Sequence, residues 1–79
     1  MGSTYSKDEK AYLDLIGNRI RELRTEADLS QEKLAFASDL DRTYIGSVER
    51  GERNISVINL RKIAKALKIR VSFILNVEE

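Results

Sequence analysis

The chain has 79 residues, 42% of them apolar, with a formal net charge of +1, which allows one small domain with a core of Leu, Ile, Val and Ala. Cysteine and histidine are absent, which excludes disulfides and thiol catalysis and removes the usual zinc ligands and the commonest acid–base group at neutral pH. Proline is also absent and glycine occurs four times, so the composition favours helices over a β-rich fold.

Residues 1–6 are expected to form a flexible N-terminal stretch, partly vector-derived, and 7–79 a single domain. The first helix is predicted from about Lys7 to Ala27, where Leu13, Ile16, Ile20, Leu23 and Ala27 recur at helical spacing. Asp28 then stands where glycine or asparagine would normally reverse the chain.

The next stretch repeats one device three times. An apolar residue precedes a capping residue, and another apolar residue comes four positions after the cap: Leu29–Ser30–Leu34, Leu40–Asp41–Ile45 and Ile55–Ser56–Leu60. Each trio matches a hydrophobic staple around an N-cap whose side-chain oxygen accepts a first-turn N–H. A second helix is therefore predicted over about Gln31 to Ser38, with Leu34 and Ala37 inward, and a third over about Arg42 to Arg50, burying Ile45 and Val48. Asp39 takes the turn between them, and Gly51 can end the third helix in a left-handed conformation. A fourth helix is predicted from about Val57 to Leu67, with Leu60, Ile63, Ala64 and Leu67 on one face. The tail Ile69–Val71–Phe73–Leu75 alternates like a strand, but a fifth short helix suits the rest of the chain better. The expected fold is all-α, with five helices.

Two helix starts eleven residues apart, joined by a tight corner, form a helix-turn-helix, which offers its second helix to the DNA major groove. With Ile45 and Val48 inward, the third helix is expected to leave Arg42, Thr43, Tyr44 and Ser47 facing base edges. Arg42 sits at the helix start, where its guanidinium can pair bidentately with guanine. Gly46 lies among them and either permits close approach to nucleic acid or is simply tolerated. Ser30 and Gln31, at the start of the second helix, and Arg50, Arg53 and Asn54 around the following loop are candidate phosphate contacts. Nine of the thirteen acids lie in residues 8–41, whereas Arg53 to Val77 contains six basic residues and no acid, a distribution that favours a polyanion. Arg24 and Glu49 sit at the inward edges of their helices and are expected to pair, serving orientation more than stability.

These residues carry a resemblance. LSQEKLA, the turn, YIGSVERG and KIAKAL resemble the phage-repressor-type (XRE-type) helix-turn-helix domains over about Ile16 to Leu75. More narrowly, LDRTYIGSVERGERNISVINLRKIAKAL is similar to the controller proteins of bacterial restriction–modification systems, which share a DRTYI…ERG.RN stretch. The resemblance implies a five-helix, phage-repressor-like domain that dimerises through its C-terminal part and binds palindromic operators near its own promoter. It also implies that Gln31, Arg42, Thr43, Tyr44, Ser47, Arg50, Arg53 and Asn54 face DNA and that Arg24–Glu49 is the interhelical salt bridge. Asp28, Asp39 and Gly46 depart from the family's usual residues.

One recognition helix reads too few base pairs to discriminate within a genome, so a two-fold dimer reading two half-sites is expected independently. Val71, Phe73, Ile74 and Leu75 supply the apolar surplus for its interface. The reading is thus a non-enzymatic, homodimeric regulator of transcription acting on double-stranded DNA, with RNA polymerase as a candidate further partner and neither metal nor cofactor. The competing reading is an antitoxin-type or phage-type repressor whose main partner is another protein. Carboxylates such as Glu22, Glu26 and Glu32 lie among basic residues, as surface ion pairs do, and do not suggest an active site. No apolar run approaches the ~20 residues of a membrane span, so the expected location is the bacterial cytoplasm, with the nucleoid.

Overall fold

The computed structural model describes residues 4–78, so the expected flexibility of residues 1–3 lies outside it. Five helices follow in order: α1 (Lys7–Glu26), α2 (Gln31–Ser38), α3 (Arg42–Glu49), α4 (Val57–Leu67) and α5 (Val71–Ile74), with no strand among the described residues. The alternating tail is helical, as preferred above.

The three expected caps all form. Ser30, Asp41 and Ser56 accept the backbone N–H groups of Lys33 (3.0 Å), Thr43 (2.8 Å) and Asn59 (3.1 Å). A fourth start follows the same chemistry. Ser6 accepts from Glu9 N–H at 3.1 Å while Glu9 Oε1 accepts from Ser6 N–H at 3.0 Å, a reciprocal capping box.

The first four helices share one ending. The N–H of the second or third residue past the helix returns to a carbonyl five positions back: Leu29 to Arg24 (3.1 Å), Leu40 to Ala35 (2.9 Å), Glu52 to Ser47 (2.9 Å) and Ile69 to Ala64 (3.0 Å). This Schellman bond requires a left-handed residue just before it. Those residues are Asp28 (φ 62°), Asp39 (φ 57°), Gly51 (φ 73°) and Lys68 (φ 60°). Leu29 and Leu40 therefore serve twice, ending one helix and stapling the next, which is why the links around α2 are so short.

The core gathers Ile16, Ile20 and Leu23 of α1, Leu34 and Ala35 of α2, Ile45 and Val48 of α3, Leu60, Ile63, Ala64 and Leu67 of α4, and Ile74 of α5. Leu29, Leu40 and Ile55 pack against it. Three expectations are corrected here. Ala37 is exposed and Ser38 is buried instead, because α2 turns Gln31, Leu34, Ala35 and Ser38 inward at helical spacing. The Ser38 hydroxyl is satisfied by donating to the Leu34 carbonyl at 2.7 Å. Ala27 is exposed past the end of α1. Ile74, expected at a dimer interface, is fully buried in its own subunit's core, since the short α5 folds back against α1 and α4.

Gly17 sets how closely α1 approaches α3. A Cβ there would overlap the Val48 carbonyl oxygen and stand 2.7 Å from that of Glu49, so the two helices meet backbone to backbone.

Candidate nucleic-acid interface

Five of the eight residues of α3 are buried: Ile45, Gly46, Ser47, Val48 and Glu49. Its outward surface is therefore concentrated in the first turn, at Arg42 and Thr43, with Tyr44 half-buried. Among the described residues the Arg42 guanidinium has no ion-pair or hydrogen-bond partner, whereas Arg24, Arg50 and Arg53 are all engaged.

Arg24 and Glu49 fix α3 to α1. Arg24 Nε donates to Glu49 Oε2 at 2.6 Å and Nη2 to Oε1 at 3.0 Å, a two-bond fork. The side chains are 13% and 3% exposed, respectively. Arg24 Nη1 also donates to the Leu29 carbonyl (2.9 Å), and Gln31 Nε2 to Glu49 Oε1 (2.9 Å). One carboxylate thus joins α1, α2 and α3. Gln31, read as a phosphate contact, gives its amide to this network.

Ser47 is not free on the outer face, contrary to the sequence reading. It is 5% exposed. Its hydroxyl donates to the Tyr44 carbonyl at 2.7 Å and accepts from Arg53 Nε at 3.2 Å. The physical cause is the loop after α3, which brings Arg53 back across the helix. The same guanidinium lies 5.6 Å from the centroid of the Tyr44 ring, a cation–π distance, and Asn59 Nδ2 donates to the Tyr44 hydroxyl at 3.1 Å. Ser47, Arg53, Tyr44 and Asn59 form one linked cluster along the side of α3. Gly46 faces the Arg50 and Gln31 side chains, 3.1 Å and 3.5 Å from where a Cβ would stand, so its neighbours within the chain are side-chain ends.

The loop itself is anchored to α1. Lys10 Nζ donates to the Arg50 carbonyl at 3.2 Å and pairs with Asp14, whose carboxylate fills the space a side chain at Gly51 would need. Arg50 also holds Glu52 through two bonds, Nε to Oε2 at 2.8 Å and Nη2 to Oε1 at 3.2 Å. These hydrogen bonds push the Arg50 guanidinium above its ordinary pKa and hold the Glu52 carboxyl below the usual carboxylate range, with the charges of Arg50, Lys10 and Arg53 adding to the latter. Ser30 and Asn54 are both exposed.

At the far end, Phe73 (46% exposed) and Leu75 remain on the surface and Val71 is half-buried. Arg19, unremarked in the sequence, lies 4.4 Å from the Phe73 ring centroid and donates to the Phe73 carbonyl from Nε and Nη2, both at 3.2 Å. Arg19, Glu52 and Asn59, and the reach of Lys10 to the Arg50 carbonyl, were missed because each of these partners lies on another element or past a turn. The capping box at Ser6 and Glu9 was legible from its spacing alone.

Two capped helices of eight residues, joined by a left-handed corner, with the second presenting a polar first turn, define a helix-turn-helix domain, and the helix-turn-helix family model matches residues 20–74. The control protein C.BamHI of Bacillus amyloliquefaciens is 51% identical over 57 residues, 71% of this chain and 70% of that protein. The restriction–modification controller protein C.AhdI of Aeromonas hydrophila superposes with a TM-score of 0.80 at 55% identity, covering 81% of this chain and 97% of that one. The controller protein C.Esp1396I, solved as a tetramer with its natural 35 base-pair operator, matches at a TM-score of 0.73 and 40% identity, covering 78% and 83% of the two chains. The chain belongs to the controller proteins of restriction–modification systems, within the helix-turn-helix family.

Proposed function

We propose that this chain is a sequence-specific DNA-binding transcriptional regulator that controls restriction–modification genes, its own included, by binding palindromic operators as a homodimer. The observation that carries the reading is Arg42: an unpaired guanidinium on the exposed first turn of α3, in a domain whose neighbouring arginines are already engaged. That position enters the major groove first in a helix-turn-helix, and an unpaired fork fits the O6 and N7 of guanine.

In this reading Arg42 and Thr43 touch bases, and Tyr44 joins them at the groove margin. Ser47 acts one step back, holding Arg53 rather than reaching a base. Ser30, Gln31, Arg50, Arg53 and Asn54 face the phosphates, which position the domain without reading sequence. Phe73 and Leu75, with Val71 at their edge, form the dimer contact in the C-terminal part of the single domain. Occupancy beside a promoter places RNA polymerase downstream of binding, and the setting is the bacterial cytoplasm. Nothing in this role requires catalysis, a metal or a cofactor.

Arg42→Ala tests the reading. A bidentate contact to guanine carries ~1–3 kcal/mol of base discrimination. The variant is expected to flatten preference at one position of each half-site, measured by selecting bound duplexes from a random pool. Equal losses on operator and non-operator DNA would refute the base-reading role.

A further inference from the structure

Between Arg50 and Val77 the chain has one acid, Glu52, set amid the basic residues of the loop. Its backbone is pinned by the bond from its N–H to the Ser47 carbonyl (2.9 Å), which places its carboxylate against the Arg50 fork. Both carboxylate oxygens accept from Arg50, at 2.8 and 3.2 Å. Lys10, which donates to the Arg50 carbonyl, and Arg53 add their fields at the same carboxylate. The pair is more than half exposed on both sides, so it contributes little to stability. A guanidinium fork that receives two carboxylate oxygens receives two phosphate oxygens equally well.

We propose that Glu52 is an internal stand-in for a DNA phosphate. It fills the Arg50 fork in the free protein, must be displaced for Arg50 to grip the backbone, and so limits the affinity of the domain for DNA. The proposal rests on the DNA-binding reading above and adds a residue that works against it. Phosphate contacts supply nearly all sequence-independent binding, and each one releases counterions. A cation already matched by a carboxylate contributes less of that release, so Glu52 lowers the ionic footprint by roughly one phosphate.

The test compares the full-length wild type, Glu52→Gln, Arg50→Ala, the double variant and Arg53→Ala on a short non-operator duplex across a range of salt concentrations. Glu52→Gln is expected to bind about two- to fivefold more tightly, the scale an exposed pair supports. Its plot of log affinity against log salt should steepen by about one. In the Arg50→Ala background most of that gain should vanish, because the fork it frees is gone. Unchanged affinity and slope would overturn the proposal. So would an equal gain with and without Arg50, which would mark a general charge effect. Arg53→Ala separates the two readings: if it lowers the salt slope while Glu52→Gln changes nothing, DNA binding stands and the stand-in falls. If wild type and every variant lack salt-dependent binding, the DNA reading itself falls.

Discussion

Replacing Arg24 with methionine removes three hydrogen bonds at once, two to Glu49 and one to the Leu29 carbonyl, while keeping most of the aliphatic stem. Glu49 would then keep the Gln31 amide as its one side-chain partner while its own side chain stays 97% buried. Stripping one partner from a buried ion pair costs about 3–5 kcal/mol, because the remaining charge is left without compensation. Arg24 is itself 13% exposed, so some water can reach the gap and the lower end of that range applies. For a domain of this size, ~3 kcal/mol corresponds to a fall in Tm of roughly 12–24 °C. The measurement is urea and thermal unfolding followed by circular dichroism, for Arg24→Met and for Arg24→Met combined with Glu49→Leu. The double variant removes both charges and should recover most of the loss, since apolar replacement of a buried pair is often neutral. A loss below ~1 kcal/mol for Arg24→Met, or a double variant less stable than the single one, would refute the argument from desolvation.

Two glycine substitutions should move stability in opposite directions. Gly17→Ala drives a methyl into the Val48 and Glu49 carbonyls and should destabilise by ~1–2 kcal/mol in urea melts, overpacking outweighing the ~1 kcal/mol gain in helix propensity. Gly46→Ala meets side-chain ends that can shift and should stabilise by up to ~1 kcal/mol. Asp39→Gly relieves a left-handed aspartate and should raise stability by up to ~1 kcal/mol, whereas a fall would show that the carboxylate holds the corner. Phe73→Glu places a charge on the exposed end of α5 and should yield monomers in sedimentation velocity; a persistent full dimer would move the interface elsewhere.

The fold was legible in the sequence wherever local chemistry decides it. Ser30, Asp41 and Ser56 cap helices where their spacing placed them, and Asp28 and Asp39 adopt the left-handed turns assigned to them. Arg24 and Glu49 pair because each lies at the inward edge of its own helix, something periodicity can specify. Periodicity identifies which residues share a face, but not what later chain covers that face. Ser47 looked free because the return of Arg53 across α3 depends on the path after Gly51. Ile74 looked like interface because four residues are too few to reveal which side of a short helix faces its own core. Lys68 gave no sign of a left-handed turn, since lysine has no side-chain chemistry suited to one. Phe36, 90% exposed on α2, has no structural explanation in a single subunit.

The tether between Lys10 and the Arg50 carbonyl, with Asp14 backing Gly51, makes the opening turns of the longest helix a bracket for the loop after α3, the strip proposed above to close on the sugar–phosphate rail. The exposed first turn of α3, the proposed reading head, is mounted separately, on the buried junction of Arg24, Gln31 and Glu49. On the proposed reading, strength of hold and choice of sequence therefore hang from different parts of one rod. Loosening the bracket would weaken the clasp and leave the lettering legible.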